Sequence, residues 1–384
     1  MAEKKSGNRL LALDIMRGIT IAGMLLVNNP GSWGEIYAPL RHAEWHGLTP
    51  TDLVFPFFMF IMGVSTWFSL KKFNFELSAA SVWKVLRRTV VIFAIGIGIA
   101  WLAKVLYGIY SDRQMWDIMT DFAHIRVLGV MPRLAICYCV ASILAMLLSR
   151  KALAWSVGII LAAYSLMLLL GNGLEFSADN IICRIDHAVL GENHMYGDTV
   201  GGQYLKFDPE GLLSTLPSIA HVLIGFLCGS LITATADNLR RTNSLFIVGA
   251  ALTFAGLLLS YGIPVNKKIW SPTFVLTTCG MASTLLALLI TVIDIHGCRK
   301  WSRFFEAFGI NPLFMYVYGT VFAVLLGALH IGDKSVKSLI YSDFLTSLTA
   351  GNATLASLFY AIFIVVAVWL VGLILYKKKI YIKI

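Results

Sequence analysis

The segment TLASLFYAIFIVVAVWLVGLILY, residues 354–376, contains no charged side chain and is followed directly by three lysines. A helix that crosses a bilayer needs about 20 such residues, and lysines favour the cytoplasmic side of a span. Similar runs recur along the 384 residues, of which 58% are hydrophobic and 14% are charged. Soluble proteins have about 25% charged residues. The composition excludes a soluble enzyme, a disordered chain and a disulfide scaffold, and it predicts an all-α polytopic membrane protein.

Ten apolar runs predict about ten transmembrane helices. If the N-terminus is cytoplasmic, the inner segments hold 19 lysines and arginines and the outer segments hold nine. This bias places both termini in the cytoplasm. The net charge of +10 is then mainly an orientation signal and requires no nucleic-acid partner. We expect the first run to be retained rather than cleaved as a signal peptide. The runs lie near 10–29, 51–70, 89–109, 127–148, 153–171, 216–236, 244–263, 272–293, 306–329 and 354–376.

One long segment, about 172–215, separates five spans from five and is expected outside the cytoplasm. A half with an odd number of spans enters the membrane inverted relative to its partner, a layout common in transporters. The chain is therefore interpreted as a single transmembrane domain over 1–384, with this long loop between two halves. The six cysteines are scattered, and their spacing predicts neither a disulfide nor a metal site.

Charged side chains at membrane depth are costly, so each is a candidate for function. Asp14 and Arg17 lie three residues apart near the inner end of the first span, where a local ion pair is the alternative interpretation. Arg133 lies deeper, and its planar guanidinium can bind a phosphate or a carboxylate. Asn311 precedes a proline within the ninth span and predicts a kinked or broken helix near a cavity.

The first outer loop and its entry into the second span form the densest polar region. Asp52 is explained by capping of the second helix. A histidine in such a short loop can be held at the mouth of the bundle as a general base, or it can simply be solvated. Acids, amides and indoles on the outer face suit a carbohydrate, although caps, turns and interfacial aromatics also account for them. The candidate sugar-binding residues are Trp45, His187, Asp208, Glu210, Asn266 and Trp270.

Seven stretches, in order from about residue 9 to about residue 320, resemble the catalytic region of the heparan-α-glucosaminide N-acetyltransferases. That family includes the lysosomal enzyme and bacterial relatives. The most specific pattern is H-x-x-W-x-G-L-T-x-x-D-L-V-F-P, which begins at His42. The large luminal domain of the animal enzyme is expected to be missing here. The stretches are RLLALDIMRGITIAGMLLVNN, RHAEWHGLTPTDLVFPFFMFIMG, GVMPRLAICY, IDHAVLGENH, DPEGLLSTLPSI, PVNKKIWSPTFVL and GINPLFMYV.

The resemblance implies that an acetyl group passes from cytoplasmic acetyl-CoA to the amine of a terminal glucosamine on the other side of the membrane. It assigns the active histidine to His42 and the partner asparagine to Asn28, with Asn29 left open. Asp52 or Glu44 would orient the imidazole. His42 would act either as a general base or as an acetyl carrier, and the sequence does not separate the two.

The resemblance also sets expectations for the donor and the location. Basic residues at the inner end would meet the phosphates of CoA, and no metal is implied. The expected location is a bacterial inner membrane, with a homodimer possible. A permease for N-acetylglucosamine or a related sugar is the alternative function, and a relative that binds CoA without turnover is a third. The candidate cofactor-binding residues are Asp14, Arg17, Arg133 and Asn311.

Overall fold

The computed structural model describes residues 10–382 and confirms an all-α polytopic architecture. Lys4, Lys5, Arg9 and Lys383, which contribute to the orientation argument, lie outside the described residues. Nine helices of the described part are long and apolar enough to cross a membrane. They are α1 (Leu11–Asn28), α2 (Val54–Lys71), α3 (Ala79–Gly108), α5 (Val130–Leu147), α6 (Arg150–Leu170), α8 (Thr215–Ala234), α9 (Asn238–Leu259), α10 (Pro272–Leu289) and α15 (Ala353–Lys377).

The ninth predicted span, near 306–329, is a bent pair of helices, α11 (Arg303–Ile310) and α12 (Pro312–Ala328), whose axes differ by 89°. The break falls at Asn311, as the sequence predicts. Pro312 has no backbone N–H and occupies the first position of α12, where that donor is not needed. The Asn311 amide is held by the backbone of Ile380 and Ile382 near the end of the chain.

Shorter elements fill the connections. The long segment between α6 and α8 carries the helix α7 (Ile181–Leu190) and a hairpin of β1 (Asp198–Val200) and β2 (Gln203–Leu205), which pairs Asp198 with Leu205 and Val200 with Gln203. A second hairpin, of β3 (His330–Ile331) and β4 (Lys334–Ser335), follows α12. The short helices are α4 (Met115–Thr120), α7 (Ile181–Leu190), α13 (Val336–Ser338) and α14 (Thr346–Leu348). The strands are β1 (Asp198–Val200), β2 (Gln203–Leu205), β3 (His330–Ile331) and β4 (Lys334–Ser335). The 3₁₀ turns are Ala38–Leu40, Pro50–Leu53, Phe122–His124 and Glu192–His194, and the π-helical segments are Ile290–Ile295 and Leu339–Leu345.

Glycines allow a close helix crossing between α2 and α8. A Cβ at Gly63 would lie 2.1 Å from the Val222 carbonyl oxygen, and one at Gly225 would lie 2.2 Å from the Phe60 carbonyl oxygen. Such small-residue contacts bring helices together where lipid offers no hydrophobic driving force. This crossing holds the middle of α2, the helix that follows the turn with Asp52, against α8.

The start of α3 differs from the predicted run, which begins near residue 89. The helix begins at Ala79, because Ser78 and Ser81 form a reciprocal cap there. The helix therefore includes the charged residues Lys84, Arg87 and Arg88, which an apolar run does not reveal. The consequence is that Arg88 lies on a helix face that reaches the bundle interior.

Candidate active site

A cavity of about 490 Å³ lies where α1 ends and α2 begins, an end of the bundle that we call the site end. We call this space the catalytic cavity. Its walls come from the loop after α1, the loop before α5, the long segment between α6 and α8, and the turn before α10. Its lining residues are Asn28, Trp33, His42, Ala43, Asp52, Arg126, Tyr196, Asp198, Pro209, Glu210, Lys267 and Lys268.

His42 and Asp52 form a hydrogen-bonded pair at the wall of this cavity. His42 Nδ1 lies 2.6 Å from Asp52 Oδ1, and the Asp52 side chain is buried while 34% of the His42 side chain is exposed. When Nδ1 donates to the carboxylate, Nε2 becomes the free, basic nitrogen of the ring. The pair thus has the arrangement of a general base held by a carboxylate.

The local sequence fixes Asp52 rigidly. Its Oδ2 atom accepts hydrogen bonds from the Ala43 backbone N–H at 3.0 Å and from the Thr49 backbone N–H at 3.1 Å. The Thr49 hydroxyl lies 2.9 Å from the same oxygen. Pro50 begins the turn, where a proline suits the first position. The predicted capping role of Asp52 therefore uses Oδ2 and leaves Oδ1 for His42.

Lys267 is the third side chain of this cluster. Its Nζ atom lies 3.1 Å from His42 Nδ1 and 3.6 Å from Asp52 Oδ1. Burial lowers the pKa of Lys267, and attraction to Asp52 offsets part of this effect. The lysine thus places a positive charge beside the imidazole ring and next to the Asp52 carboxylate.

A strained turn delivers Lys267 to the site. Asn266 accepts a hydrogen bond from the Ile269 backbone N–H, and its own backbone N–H donates to Ser271 Oγ. Trp270 adopts φ 50°, a conformation that is costly for a bulky residue, and its ring is fully buried. Both Asn266 and Trp270 are sugar-binding candidates from the sequence. The structure buries them as the frame of the turn and places Lys267 and Lys268 in the cavity instead.

The structure distinguishes the two asparagines at the end of α1. Asn29 Nδ2 donates to the Leu25 carbonyl at 2.8 Å, which caps the last turn of the helix. Asn28 lines the catalytic cavity and is exposed, and its side chain has no hydrogen-bond partner within residues 10–382. The Asn28 amide is therefore the one available to a bound molecule.

Three further ion pairs form the opposite wall. Arg126 donates to Asp208 and to Glu210, while Lys268 Nζ lies 2.6 Å from Asp198 Oδ2. Burial opposes ionisation of Glu210, but the charge of Arg126 overrides it and lowers the pKa of Glu210. Asp208 is buried behind Arg126 and also accepts from the Tyr196 backbone N–H. Of the two acidic sugar-binding candidates, Glu210 therefore lines the cavity and Asp208 positions Arg126.

The other candidates near the site serve as scaffold. Glu44 accepts from the Gly201 backbone N–H at 2.7 Å and so ties the β1–β2 hairpin to the His42 loop. Trp45 donates to the Leu174 carbonyl and packs edge-on against Phe176 and Phe207. His187 Nε2 lies 2.8 Å from the Lys206 carbonyl oxygen. None of these three candidates lines the catalytic cavity.

The candidate cofactor-binding residues lie in different places. Arg17 lines a cavity of about 260 Å³ toward the opposite end of the bundle, and its guanidinium contacts Ser65 and Asp14. We call this space the inner cavity. Arg88 also lines it, with its guanidinium 4.8 Å from the Tyr138 ring. The full lining is Arg17, Phe58, Ile61, Met62, Ser65, Arg88, Ile92, Leu134, Pro312 and Leu313.

Arg133 and Asn311 line neither cavity. Arg133 is fully buried, donates to the Gly211 carbonyl and Ser214 hydroxyl, and stacks on Trp270 at 5.3 Å. It thereby ties α5 to the start of α8. Asn311 is occupied by the chain end, although the two residues after it reach the inner cavity. The hydrogen bonds of Arg133 and Asn311 thus give both side chains a role in positioning the backbone segments that they contact.

The sequence reasoning missed Trp33, Arg126, Tyr196, Asp198, Lys267 and Lys268 as site residues. Lys267 and Lys268 carried a usable signal, because adjacent lysines in a short outer loop run against the usual charge bias. Arg126 carried a weaker signal of the same kind. Nothing in the sequence places the other three at the cavity.

Comparisons with known proteins agree with the resemblance. No family model matches the chain. Over 371 aligned residues it is 28% identical to human heparan-alpha-glucosaminide N-acetyltransferase, covering 82% of this chain and 53% of the human protein. Over 439 aligned residues it is 26% identical to the mouse protein of that name, covering 99% of this chain and 61% of the relative. The chain thus spans between half and two thirds of these relatives' length, and it is a distant relative of this family.

Proposed function

We propose that the chain is a membrane-embedded acetyltransferase that moves an acetyl group from acetyl-CoA to the amine of a glucosamine-like amino sugar. The observation that carries this proposal is the His42–Asp52 pair in a cavity that also exposes the Asn28 amide. A general base and an oxyanion donor are what acyl transfer to an amine requires. The names of the distant relatives support the same reaction.

In the direct mechanism, His42 Nε2 removes a proton from the ammonium group of the sugar. The freed nitrogen attacks the thioester carbon, and the Asn28 amide donates to the oxygen that becomes negative. Collapse of this intermediate breaks the carbon–sulfur bond. The second proton that the nitrogen loses neutralises the CoA thiolate, and His42 releases the first proton to water. A double-displacement mechanism would use the same Nε2 atom as the nucleophile.

A series of cavities supports delivery of the acetyl group from the opposite end. A third cavity, of about 190 Å³, has walls from α3, α5 and α12 and shares Arg126 with the catalytic cavity. The same three helices contribute Arg88, Leu134 and Leu313 to the inner cavity. From Arg88 to Ala100 in the third cavity, α3 rises about 18 Å at about 1.5 Å per residue, a distance suited to the pantetheine arm.

The direction in which these cavities follow one another across the membrane fits a donor that binds from the cytoplasm. The lysine and arginine bias places the inner cavity on the cytoplasmic side, where acetyl-CoA is made, and the catalytic cavity outside. Arg17 and Arg88 are the arginines that meet at the inner cavity and would bind the CoA phosphates. The location that follows from this proposal is the cell inner membrane.

The test uses purified protein in liposomes, with radiolabelled acetyl-CoA on one side and glucosamine on the other. The wild type is compared with His42→Ala and with the matched control His46→Ala, since His46 lies in the same loop but outside the catalytic cavity. We expect labelled N-acetylglucosamine from the wild type and the control only. Label retained on the protein without glucosamine would indicate double displacement. Turnover by His42→Ala would refute the proposed base, and passage of unmodified N-acetylglucosamine without acetylation would favour the permease.

A further inference from the structure

Three cavities meet in pairs around the place where the reacting atoms would lie. The catalytic cavity and the third cavity share Arg126. A further space of about 300 Å³ shares Asn28 and Trp33 with the catalytic cavity, and it shares Tyr316 and Thr320 with the third cavity. We call this space the side chamber. A thioester at this junction therefore has a separate cavity on each of three sides.

The thioester carbon carries two groups besides its oxygen, and this arrangement gives each of them a place. Under the proposed function, the sulfur arrives through the third cavity, the carbonyl oxygen faces the Asn28 amide, and the amine attacks from the catalytic cavity beside His42. The acyl substituent, a methyl group in acetyl-CoA, is then directed to the side chamber. Because a volume of about 300 Å³ is enough for a whole small molecule, the side chamber has room for a longer acyl group than acetyl.

The part of the side chamber near Asn28 suits a hydrocarbon chain. Met24 and Leu25 line it from about one helical turn before Asn28 on α1. Ala323 and Val324 line the same space from α12. Contact with these apolar side chains would remove the methylene groups of an acyl chain from water, which favours binding.

Lys337 is the charged side chain of the side chamber, and it differs from the cations of the catalytic cavity. Arg126, Lys267 and Lys268 each contact a carboxylate. Lys337 has no carboxylate or hydrogen-bond partner in the described part of the chain, and its Nζ atom lies 5.6 Å from the centre of the Tyr360 ring. It is only partly exposed, and burial lowers the pKa of Lys337 with no neighbouring acid to offset the effect. A carboxylate at the end of a bound acyl chain would neutralise its charge.

We propose that the side chamber binds the acyl group of the donor, and that the chain also transfers short acyl groups that end in a carboxylate, with Lys337 as the partner of that carboxylate. The inference rests on the proposed function and extends its donors from acetyl-CoA to dicarboxylic half-thioesters, with succinyl-CoA as the probe. The bond between nitrogen and the acyl carbon forms, and the carbon–sulfur bond breaks. The nitrogen loses one proton to His42 and a second to the CoA thiolate, as in acetyl transfer. The products are CoA and an amide with a free carboxylate.

The test measures kcat/KM for the acylation of glucosamine with acetyl-CoA, butyryl-CoA and succinyl-CoA, against a blank without protein. Butyryl and succinyl groups have four carbons each and differ at their ends, a methyl group or a carboxylate. We expect the wild type to use succinyl-CoA about tenfold better than butyryl-CoA or more, the scale of a charged hydrogen bond. Acetyl transfer with no preference for succinyl-CoA over butyryl-CoA would overturn the inference and leave the proposed function intact. Transfer of none of the three groups would refute both.

Lys337→Met tests the charge of the side chamber. Methionine is similar in length but neutral, so the preference for succinyl-CoA should disappear while acetyl and butyryl transfer continue. Lys334→Met is the matched control, because Lys334 belongs to the same connection but pairs with Asp343 outside the side chamber. The preference should survive in this control. A preference that persists in Lys337→Met would contradict the pairing of Lys337 with the acyl carboxylate.

Ala323→Phe tests the space of the side chamber. The added ring would occupy part of it from α12, so kcat/KM for both four-carbon donors should fall by about tenfold or more while acetyl transfer changes little. Acetyl transfer by the same preparation, together with its melting temperature, reports whether the variant is folded. If a folded Ala323→Phe lost activity equally with all three donors, or with none, the acyl substituent would not enter the side chamber and the inference would be wrong.

Discussion

Replacement of Asp52 by asparagine tests the proposed mechanism at one atom. In the wild type, Oδ2 is held by Ala43 and Thr49, while Oδ1 faces His42 Nδ1 at 2.6 Å. The amide introduced by Asp52→Asn would keep its oxygen at the three donors and turn its NH₂ group toward His42. Nδ1 would then have to accept a hydrogen bond, so the ring proton would move to Nε2. The base would point its proton, instead of its lone pair, at the sugar.

The size of the effect follows from these contacts. A buried carboxylate that fixes the tautomer of a catalytic histidine contributes about 10⁴-fold to kcat in well-studied triads. We expect a loss of about 10³-fold or more in kcat for Asp52→Asn. Lys267 also loses its carboxylate partner, and leaving a partly buried charge without one costs about 1–3 kcal/mol of stability. The variant should therefore unfold at a lower temperature but remain folded at the assay temperature.

The assay measures initial rates of glucosamine acetylation in liposomes, with the melting temperature of each preparation as a check on folding. Thr49→Val is the matched control, because it removes a hydrogen bond from Oδ2 and leaves Oδ1 with His42. The control should lose stability while keeping kcat within a few-fold of the wild type. If folded Asp52→Asn kept kcat within tenfold of the wild type, Asp52 would be a helix cap only, and the reasoning about the tautomer would be wrong.

Three further variants test other parts of the structure. Asn28→Ala should lower kcat by about 10²-fold or more if its amide stabilises the oxyanion, whereas Asn29→Ala should mainly lower the melting temperature; equal losses of kcat would contradict this division. Burial raises the pKa of Asp186 to about 6, so the folded chain keeps a proton that the unfolded chain releases from pH 3.8 upward. Stability contributed by Asp186 thus falls as pH rises through this window, by at most about 3 kcal/mol. Asp186→Asn should melt above the wild type at about pH 7.5 and level with it near pH 4, and an equal difference at both pH values would exclude this ionisation.

Much of the fold could be predicted because membrane spans leave a strong local signal. Ten runs of apolar residues correspond to nine long helices and one bent pair within residues 10–382, and the break at Asn311 was visible as a polar residue before a proline. Helix starts were less predictable. The cap at Ser78 starts α3 ahead of its charged residues. Hydropathy alone does not detect this part of the helix, because charged residues interrupt the apolar run.

The site was predictable only where its residues are close in sequence. His42 and Asp52 belong to one short segment, and the resemblance also carries that segment. Lys267 reaches His42 from 225 residues away, so its role depends on how the turn before α10 packs. Asn266 and Trp270 show the converse, since both are buried and neither lines the catalytic cavity. Their residue types suit a sugar, but a sequence does not give the direction of a side chain, and both point into the protein.

Helix geometry shows which of two adjacent arginines can bind a phosphate at the inner cavity, a choice that the sequence composition leaves open. Arg87 and Arg88 are adjacent basic residues, and either could meet a phosphate. Consecutive residues are about 100° apart around a helix, so only one of them can face the bundle. Arg88 faces Tyr138 and the inner cavity, while Arg87 is exposed. The same face of α3 continues through Ile92 in the inner cavity to Gly96 and Ile99 in the third cavity. Under the proposed function, one helix face therefore binds the phosphates of the donor at its start and guides the acetyl arm toward His42, so only the donor has to cross the bundle and the acceptor stays at the site end.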